Sequence, residues 1–385
     1  MKKRKVLYIS GTRADYGLMR STLKAIKNHP RLKLSLIVTG MHLSKKFGYT
    51  VKEIKRDSFK IETEIPILNV KDSGDSMGLA FGKQVSEFSR AFQKIKPDII
   101  LVEGDRGEML AGAIAGRYLD ASVAHVCGGD VTPGCPLDDS IRHTITKLSH
   151  IHFPGTKKSA ERIIKMGEEP WRIFMVGDPG TDSILQTKII KPSLLAKKFN
   201  LDLNKPILLV IQHPVSNKTK DGIYQIRETM EALVKISQQS IVIYPNADTG
   251  GRAMIKVIEK YKKYPFIKIY PNIPHNEFIS LMKIASVMVG NSSSGIVEAP
   301  LFKLPVVNIG PRELKRERGD NVIDVDYNQE QIEKAIRKAL FNKKFKEKIR
   351  RSKNPYIAKN VGREIAKILS EIKINKKLLE KSLTY

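Results

Sequence analysis

One pattern, used twice, constrains this chain most: a short apolar run, a polar loop carrying Gly, Asp, Arg or Ser, then an amphipathic stretch of helical period. Before residue 180 the runs Lys5–Ser10, Leu34–Thr39, Ile99–Val102, Ser122–Val126 and His150–Pro154 read as strands, with a weaker one at Ile173–Val176. Between them the spacing predicts helices over Tyr16–Lys27, Met77–Ile95, Glu108–Tyr118, Asp139–Leu148 and Lys157–Met166. Strands alternating with helices at this spacing form βαβ units around a mainly parallel sheet.

Pro179, Gly180 and the polar stretch around Lys188–Ser193 mark a crossover, after which the alternation restarts. Strands fit Pro206–Gln212, Ser240–Tyr244, Phe266–Tyr270, Ser286–Val289 and Pro305–Ile309. Helices fit Asp221–Ile236, Arg252–Lys260, His275–Lys283, Gly295–Leu301 and Gln329–Leu340. A chain of 385 residues exceeds what one core usually holds. The expected architecture is α/β: two Rossmann-like domains in tandem, 1–178 and 179–365, with the ligand in the cleft between them. The helical segments Tyr356–Ser370 and Asn375–Leu383 are free to return to the first domain, and a C-terminal piece from 366 to 385 is expected there.

Composition removes several alternatives. No apolar stretch is long enough to span a bilayer, and the first one ends at Ile9, which suits a buried strand and not a secretion signal. Cys127 and Cys135 make neither a disulfide framework nor a zinc set, so a reducing cytoplasm is expected. Lys and Arg number 68 against 40 Asp and Glu, which raises nucleic-acid binding as a competing function. The excess is spread along the chain, however, and no zinc-finger, helix-turn-helix or paired-aromatic signature accompanies it. A solvated basic surface with no specific nucleic-acid partner is the expectation. The glycines around Gly11–Gly17 and Gly40–Gly48 lack the close spacing of a dinucleotide fingerprint, and no Walker motif is present.

The chemistry-bearing residues sit just after the predicted strands. Arg13 follows the first strand, where a guanidinium grips a phosphate with parallel hydrogen bonds; Asp15 beside it reads as a helix cap. Asp105, flanked by Gly104 and Arg106, either faces the crevice or forms a capping box with Glu108. After Gly128-Gly129 comes Asp130, and Asp138-Asp139 open a helix whose first turns carry Arg142 and His143. Asp139 suits a cap, whereas Asp138 is freer to face a ligand. Neighbouring carboxylates raise one another's pKa, which acid chemistry near neutrality requires. His213 ends a strand of the second half and is the best-placed histidine there. Gly290-Asn-Ser-Ser-Ser-Gly295 supplies Ser292, Ser293 and Ser294 at the start of a predicted helix, a phosphate-binding arrangement, with Glu298 one turn on as an acceptor for ribose hydroxyls. His275 and the run Arg312 to Arg318 are candidates for base-side and phosphate contacts. The serines lack a Gly-x-Ser-x-Gly elbow, which argues against acyl hydrolysis.

Gly11-Thr-Arg-Ala-Asp-Tyr-Gly17, Glu103-Gly-Asp-Arg106, Gly128-Gly-Asp130, Asp138-Asp-Ser-Ile-Arg-His143 and Gly290-Asn-Ser-Ser-Ser-Gly295 together resemble, in order, the signature stretches of the hydrolysing UDP-N-acetylglucosamine 2-epimerases and of their relatives that act on nucleotide-linked diacetylbacillosamine. The likeness runs from the N-terminus to about residue 325. It implies a glycosyltransferase-B type fold, a homodimer, and a nucleotide-sugar substrate with no metal or redox cofactor. The implied reaction is anti-elimination of UDP to give 2-acetamidoglucal, then hydration to N-acetylmannosamine. It casts Asp105, Asp130 and Asp138 as catalytic acids, with the C2 base unassigned among them. Arg13 and His213 fall near the departing diphosphate, and Ser292, Ser293 and Glu298 in the nucleotide site. Two departures stand in the sugar-facing loop: Asp130 where the family usually has Glu, and Cys127 where it commonly has His. Leu18, where the non-hydrolysing branch has lysine, argues against that branch, as do Asp138-Asp139 in place of its paired glutamates. The same chemistry on UDP- or GDP-linked diacetylbacillosamine is the main alternative, ahead of glycosyl transfer.

Overall fold

The structure, a computed structural model, describes residues 3–68, 73–132, 134–215 and 219–385. The first lobe is built on six parallel strands: β1 (Arg4–Ser10), β2 (Leu32–Thr39), β3 (Ile61–Ile65), β4 (Ile99–Glu103), β5 (Ser122–Val126) and β6 (Ile151–Phe153). The second has six more: β7 (Ile207–Ile211), β8 (Gln239–Ile243), β9 (Ile267–Tyr270), β10 (Val287–Gly290), β11 (Val306–Ile309) and β12 (Val322–Val325). Spatial order is β3-β2-β1-β4-β5-β6 in one sheet and β12-β11-β10-β7-β8-β9 in the other. Both are the doubly wound order, so each sheet has a switch point, between β1 and β4 and between β7 and β10. The central strands are apolar without alternation because helices cover both faces.

Two of the four edge strands, β3 and β12, are absent from the expectation. Their sequences, Ile-Glu-Thr-Glu-Ile and Val-Ile-Asp-Val, are short and carry acids, as edge strands do. The expected strand at Ile173–Val176 reduces to one parallel bridge between Ile173 and His152. The expected helix Gly295–Leu301 divides into a single turn, Ser294–Val297, and a 3₁₀ turn, Ala299–Phe302, because Pro300 cannot donate to the ladder.

The chain crosses between lobes twice. The helix Pro179–Gln186 starts with Asp178 as its cap and packs on Arg13–Asn28 of the first lobe, where the Ser183 hydroxyl donates to the Gly17 carbonyl at 2.9 Å. After the second sheet the chain returns, and the helix Val361–Glu371 lies against Arg13–Asn28. Val361, Ile365, Ala366 and Leu369 join the core that also contains Tyr8, Met19 and Leu23. The helix spans residue 365, the expected boundary, and all of it serves the first lobe. The following segment is pinned by buried Arg172, whose guanidinium donates to the carbonyls of Leu378 at 2.7 Å and Lys377 at 2.8 Å. No helix among the described residues is long and apolar enough to cross a membrane.

Leu369 is completely buried in the first lobe although it lies at the far end of the chain. Leu369→Ala is expected to lower stability by about 2–5 kcal/mol in chemical denaturation. A loss below about 1 kcal/mol, the range of surface substitutions, would deny the returning helix its place in that core.

Candidate active site

Each lobe presents its strand ends to a single cavity of about 810 Å³ between them. Among the loops that line it are those at the two switch points. From the first lobe come Arg13 after β1 and Asp105 after β4; from the second come His213 after β7 and Ser292 to Ser294 after β10. Gly290 closes β10 at φ 128°, and a Cβ there would lie 1.9 Å from the Ile211 carbonyl oxygen, so only glycine lets β7 and β10 end side by side.

Asp105 does not cap a helix. Gly107–Tyr118 begins two residues later with Arg106 in the cap position and no side-chain capping bond, so the carboxylate is free for the cavity. Arg142, itself buried, donates to Asp105 and to the Thr132 hydroxyl at 2.9 Å. Burial pushes the Asp105 carboxyl up, but the guanidinium groups of Arg142, Arg312, Arg316 and Arg106 outweigh it and hold the pKa below the usual carboxylate value.

Asp138 behaves in the opposite way. Its helix, Pro136–Leu148, begins earlier than expected, with proline in the first turn. Both aspartates therefore lie inside that turn, not at or before its cap. Asp139 turns back to accept from the Thr132 backbone N–H, while Asp138 faces the cavity. Burial and the neighbouring Asp105 charge raise Asp138 to about 7, against the pull of Arg312. The Arg312 guanidinium lies 3.5 Å from it, across the lobe boundary.

Asp130 is not in this cavity. It lines a smaller one behind, where Arg316 Nε donates to it at 2.6 Å. Arg316 borders both spaces and links Asp130 to the cleft. His143 is also outside: it follows Arg142 on the helix, and one residue rotates it to another face. Pro133, within the same motif, lies outside the described residues.

On the opposite wall His213 is half-buried. Burial first, and then Arg312, lower its pKa to about 3, so the ring is neutral. Its Nδ1 accepts from the Asn246 backbone N–H at 3.1 Å, which leaves the proton on Nε2 as a donor. Asn291 braces this loop: its side chain accepts from His213 N at 2.6 Å and donates to His213 O at 2.9 Å, while its carbonyl takes a bond from Arg312 at 3.1 Å. His275 is likewise neutral, with a pKa near about 3 from burial and then from Arg13, and its buried Nε2 has no partner among the described residues. Arg13 lies over the Phe278 ring at 5.2 Å and makes no hydrogen bond or ion pair among the described residues. Glu298 closes the Ser turn; burial raises it to about 7, against the Ser294 hydroxyl and the Arg13 charge. Asp15, by contrast, belongs to the scaffold. It completes the capping box with Thr12 and binds the Ser10 and Tyr8 hydroxyls.

Sequence reasoning gave little weight to the arginines that cross the cleft. Arg106 reaches Asp248 at 3.2 Å, Arg312 reaches Asp138, and Arg316 reaches Asp130. Asp248 and Asn246 follow β8, and the rule that ligands gather at strand ends would have flagged them. The lobes also meet at Gly134, where an added Cβ would fall 2.4 Å from the Arg312 backbone nitrogen.

Arg316 and Asp130 are each 8% exposed. Arg316→Ala is expected to lower stability by about 3–5 kcal/mol, because it strands a buried carboxylate. Adding Asp130→Asn is expected to restore most of that loss. Urea unfolding of both variants checks this, and an equal loss in the double variant would show that the pair is not what holds this junction.

Residues 24–370 match the family described as UDP-N-acetylglucosamine 2-epimerase. The chain is 40% identical over 382 residues to the UDP-N,N'-diacetylbacillosamine 2-epimerase (hydrolyzing) of Legionella pneumophila, covering 99% of this chain and 100% of that protein. It is 37% identical to the GDP/UDP-N,N'-diacetylbacillosamine 2-epimerase of Campylobacter jejuni, over 90% of each chain, and 36% identical to the UDP-N-acetylglucosamine 2-epimerase of Neisseria meningitidis, over 89% of each. Among solved structures, a UDP-GlcNAc 2-epimerase from Neisseria meningitidis bound to UDP-GlcNAc superposes with a TM-score of 0.81 at 18% identity, over 95% of this chain and 99% of that one, a likeness of fold. Two doubly wound lobes, the strand-end cavity and a match over nearly the whole length lead to one conclusion: the chain belongs to the UDP-N-acetylglucosamine 2-epimerase family.

Proposed function

We propose that this protein is a hydrolysing 2-epimerase of a UDP-linked 2-acetamido sugar, and that the sugar is 2,4-diacetamido-2,4,6-trideoxyglucose. One observation carries the first part: Asp105 and Asp138 share a cavity with Arg13, His213 and the Ser292–Glu298 turn. Carboxylates on one wall and phosphate-binding groups on the other suit proton removal from the sugar coupled to loss of a diphosphate. Arg13, without a hydrogen bond or ion pair among the described residues, and the His213 Nε2–H would stabilise charge on the leaving group. His213 acts here as a neutral donor, not as a cation or a proton shuttle. Glu298, when ionised, accepts from the ribose hydroxyls, and Ser292 to Ser294 with His275 complete the nucleotide side.

Asp138 is the group suited to proton exchange, because its pKa of about 7 lies at the working pH. In its ionised form it would take the C2 proton as UDP leaves. Asp105, kept ionised by its guanidinium neighbours, stabilises the positive charge that develops at the sugar ring. Asp130 takes no part in contact with substrate in this scheme; it positions Arg316. Water then adds to the glycal, and a free 2-epimeric sugar is released.

The substrate assignment rests on the wall beside the aspartates. Met77, Ala80 and Phe81 of the helix Gly74–Ile95, with Leu110, Leu137 and Ile141, line the cavity that also holds Asp105 and Asp138. A 6-deoxy sugar presents a methyl group to such a surface, whereas a 6-hydroxyl would lose its water there. The two relatives named for diacetylbacillosamine support the same choice. UDP-N-acetylglucosamine is the second reading, supported by the Neisseria meningitidis relative.

Proton NMR of the reaction in deuterated water tests both parts. UDP release with deuterium at C2 of a free 2,4-diacetamido-2,4,6-trideoxymannose is expected, with kcat/KM at least ~10-fold above that for UDP-N-acetylglucosamine, the discrimination a small apolar difference supplies. A preference for UDP-N-acetylglucosamine would overturn the substrate assignment, and absence of UDP release from either would overturn the activity.

The pH dependence follows from the sign of the Asp138 shift. As a base it must be ionised, so kcat/KM is expected to fall as pH drops through about 7 and to level off above it. Asp138→Asn is expected to cut turnover by at least ~100-fold with folding intact. A profile flat between the ordinary carboxylate range and neutrality would remove Asp138 from this role.

A further inference from the structure

Glu103 has no task in the scheme above. It is the last residue of β4, two positions after Leu101, so its side chain leaves the sheet on the same face. Leu101 is paired in register with Tyr8 of β1. Glu103 is 8% exposed and lines the main cavity. Three acids act on it: Asp15 of the helix Arg13–Asn28, Asp105 after β4, and Asp178 at the cap of Pro179–Gln186. Each of these has donors of its own. Asp15 accepts from the Thr12 backbone N–H at 2.6 Å, Asp105 from Arg142, and Asp178 from the Gly180 backbone N–H at 2.7 Å. The two weaker acids nearby are also engaged: the Tyr8 hydroxyl donates to Asp15 at 3.2 Å, and the Cys127 thiol to Asp178 at 3.4 Å. Glu103 makes no hydrogen bond or ion pair among the described residues.

Burial, and then the charges of Asp15, Asp105 and Asp178, push the Glu103 carboxyl well above the ordinary carboxylate pKa, against the pull of Arg142. Of the four acids, the one without a donor is the one that keeps its proton. A neutral carboxyl donates as well as accepts, and no protein group among the described residues takes this O–H. The acceptor is left to whatever fills the cavity. The diphosphate and ribose of the proposed substrate belong to the Ser292–Glu298 turn, so the end of β4 is left for the sugar. Its best neutral acceptor is an amide oxygen. We propose that Glu103 is a substrate-binding residue whose carboxyl O–H donates to an acetamido carbonyl of the sugar. This contact rests on the proposed function and adds a determinant of specificity to it. An ionised carboxylate in the same place would repel that oxygen, so the surrounding acids serve recognition by keeping the proton in place. A sugar without the carbonyl would leave a buried donor unpaired, which is the strong form of discrimination.

Glu103→Leu and Glu103→Gln test the contact, with circular dichroism to confirm folding. In Glu103→Leu the KM for the UDP-sugar is expected to rise at least ~10-fold with kcat little changed, as loss of one buried hydrogen bond requires, while inhibition by UDP alone stays within about twofold. Glu103→Gln keeps a neutral donor and is expected to stay within about threefold of wild type in both constants. Infrared difference spectra of the wild type are expected to show a protonated-carboxyl stretch that shifts when the UDP-sugar binds, does not shift with UDP, and is missing from Glu103→Gln. A KM increase confined to the diacetamido sugar would assign the 4-acetamido group, and an equal increase with UDP-N-acetylglucosamine would assign the 2-acetamido group. Glu103→Gln as impaired as Glu103→Leu, equal weakening of UDP and UDP-sugar, or absence of the infrared band overturns the proposal. Should Glu103→Leu fail to fold, Glu103→Gln and the wild-type spectra still decide. If the wild type turns over neither sugar, the proposed function falls, and calorimetric affinities of UDP and UDP-sugar for wild type and variants still test this contact.

Discussion

The arrangement depends on guanidinium groups that meet carboxylates across the lobe boundary. Arg312 and Arg316 extend from the second lobe to Asp138 and Asp130, and Arg106 extends from the first lobe to Asp248. Buried acids without such partners would protonate or draw in water, because desolvating a lone carboxylate is expensive. The acids therefore need the opposite lobe in place, and the arginines need the acids. This mutual requirement makes the cleft one unit, although its two walls belong to separate sheets.

The same charges set different pKa values on adjacent aspartates. Asp105 lies among four guanidinium groups and stays ionised; Asp138 feels chiefly burial and the Asp105 charge, and rises to about 7. Neither value is a property of aspartate as such. Both follow from where the loops after β4 and β5 end relative to the arginines. The switch point between β1 and β4 opens the crevice at the end of β4, since only there do neighbouring loops diverge, and β5 lies next to β4.

Much of this was legible in the sequence because the cues were local. Central strands are continuous apolar runs, and the residues that follow them are the ones the cavity gathers: Arg13, Asp105, His213 and Ser292. Two edges were not legible, since β3 and β12 carry acids and look like loops. Nor was the aim of individual side chains. Asp130 and His143 belong to the same motif as Asp138, yet a turn at Gly129 and one step of helix send them elsewhere. Asp105 had a plausible capping partner in Glu108, and only the start of the helix at Gly107 shows that no cap forms. The cross-lobe arginines were hardest to weigh. Their meaning lies in contacts with residues almost two hundred positions away, as between Arg316 and Asp130, and no local pattern announces that.

The contacts of Arg312 also indicate how the charges of the cleft would respond to a substrate. Arg312 holds Asp138 at 3.5 Å and the Asn291 carbonyl at 3.1 Å, so one guanidinium links the exchangeable carboxylate to the turn proposed to bind phosphate. A diphosphate arriving at that turn would compete with Asp138 for the same cation. Released from Arg312 and facing a new negative charge, Asp138 would become more basic at the moment a proton must be taken. Departure of the diphosphate would return Arg312 to the carboxylate and favour loss of the proton. In the proposed reaction, leaving-group binding and base strength would thereby be coupled through one side chain. Such coupling would account for a cation beside an acid whose proposed role depends on a raised pKa.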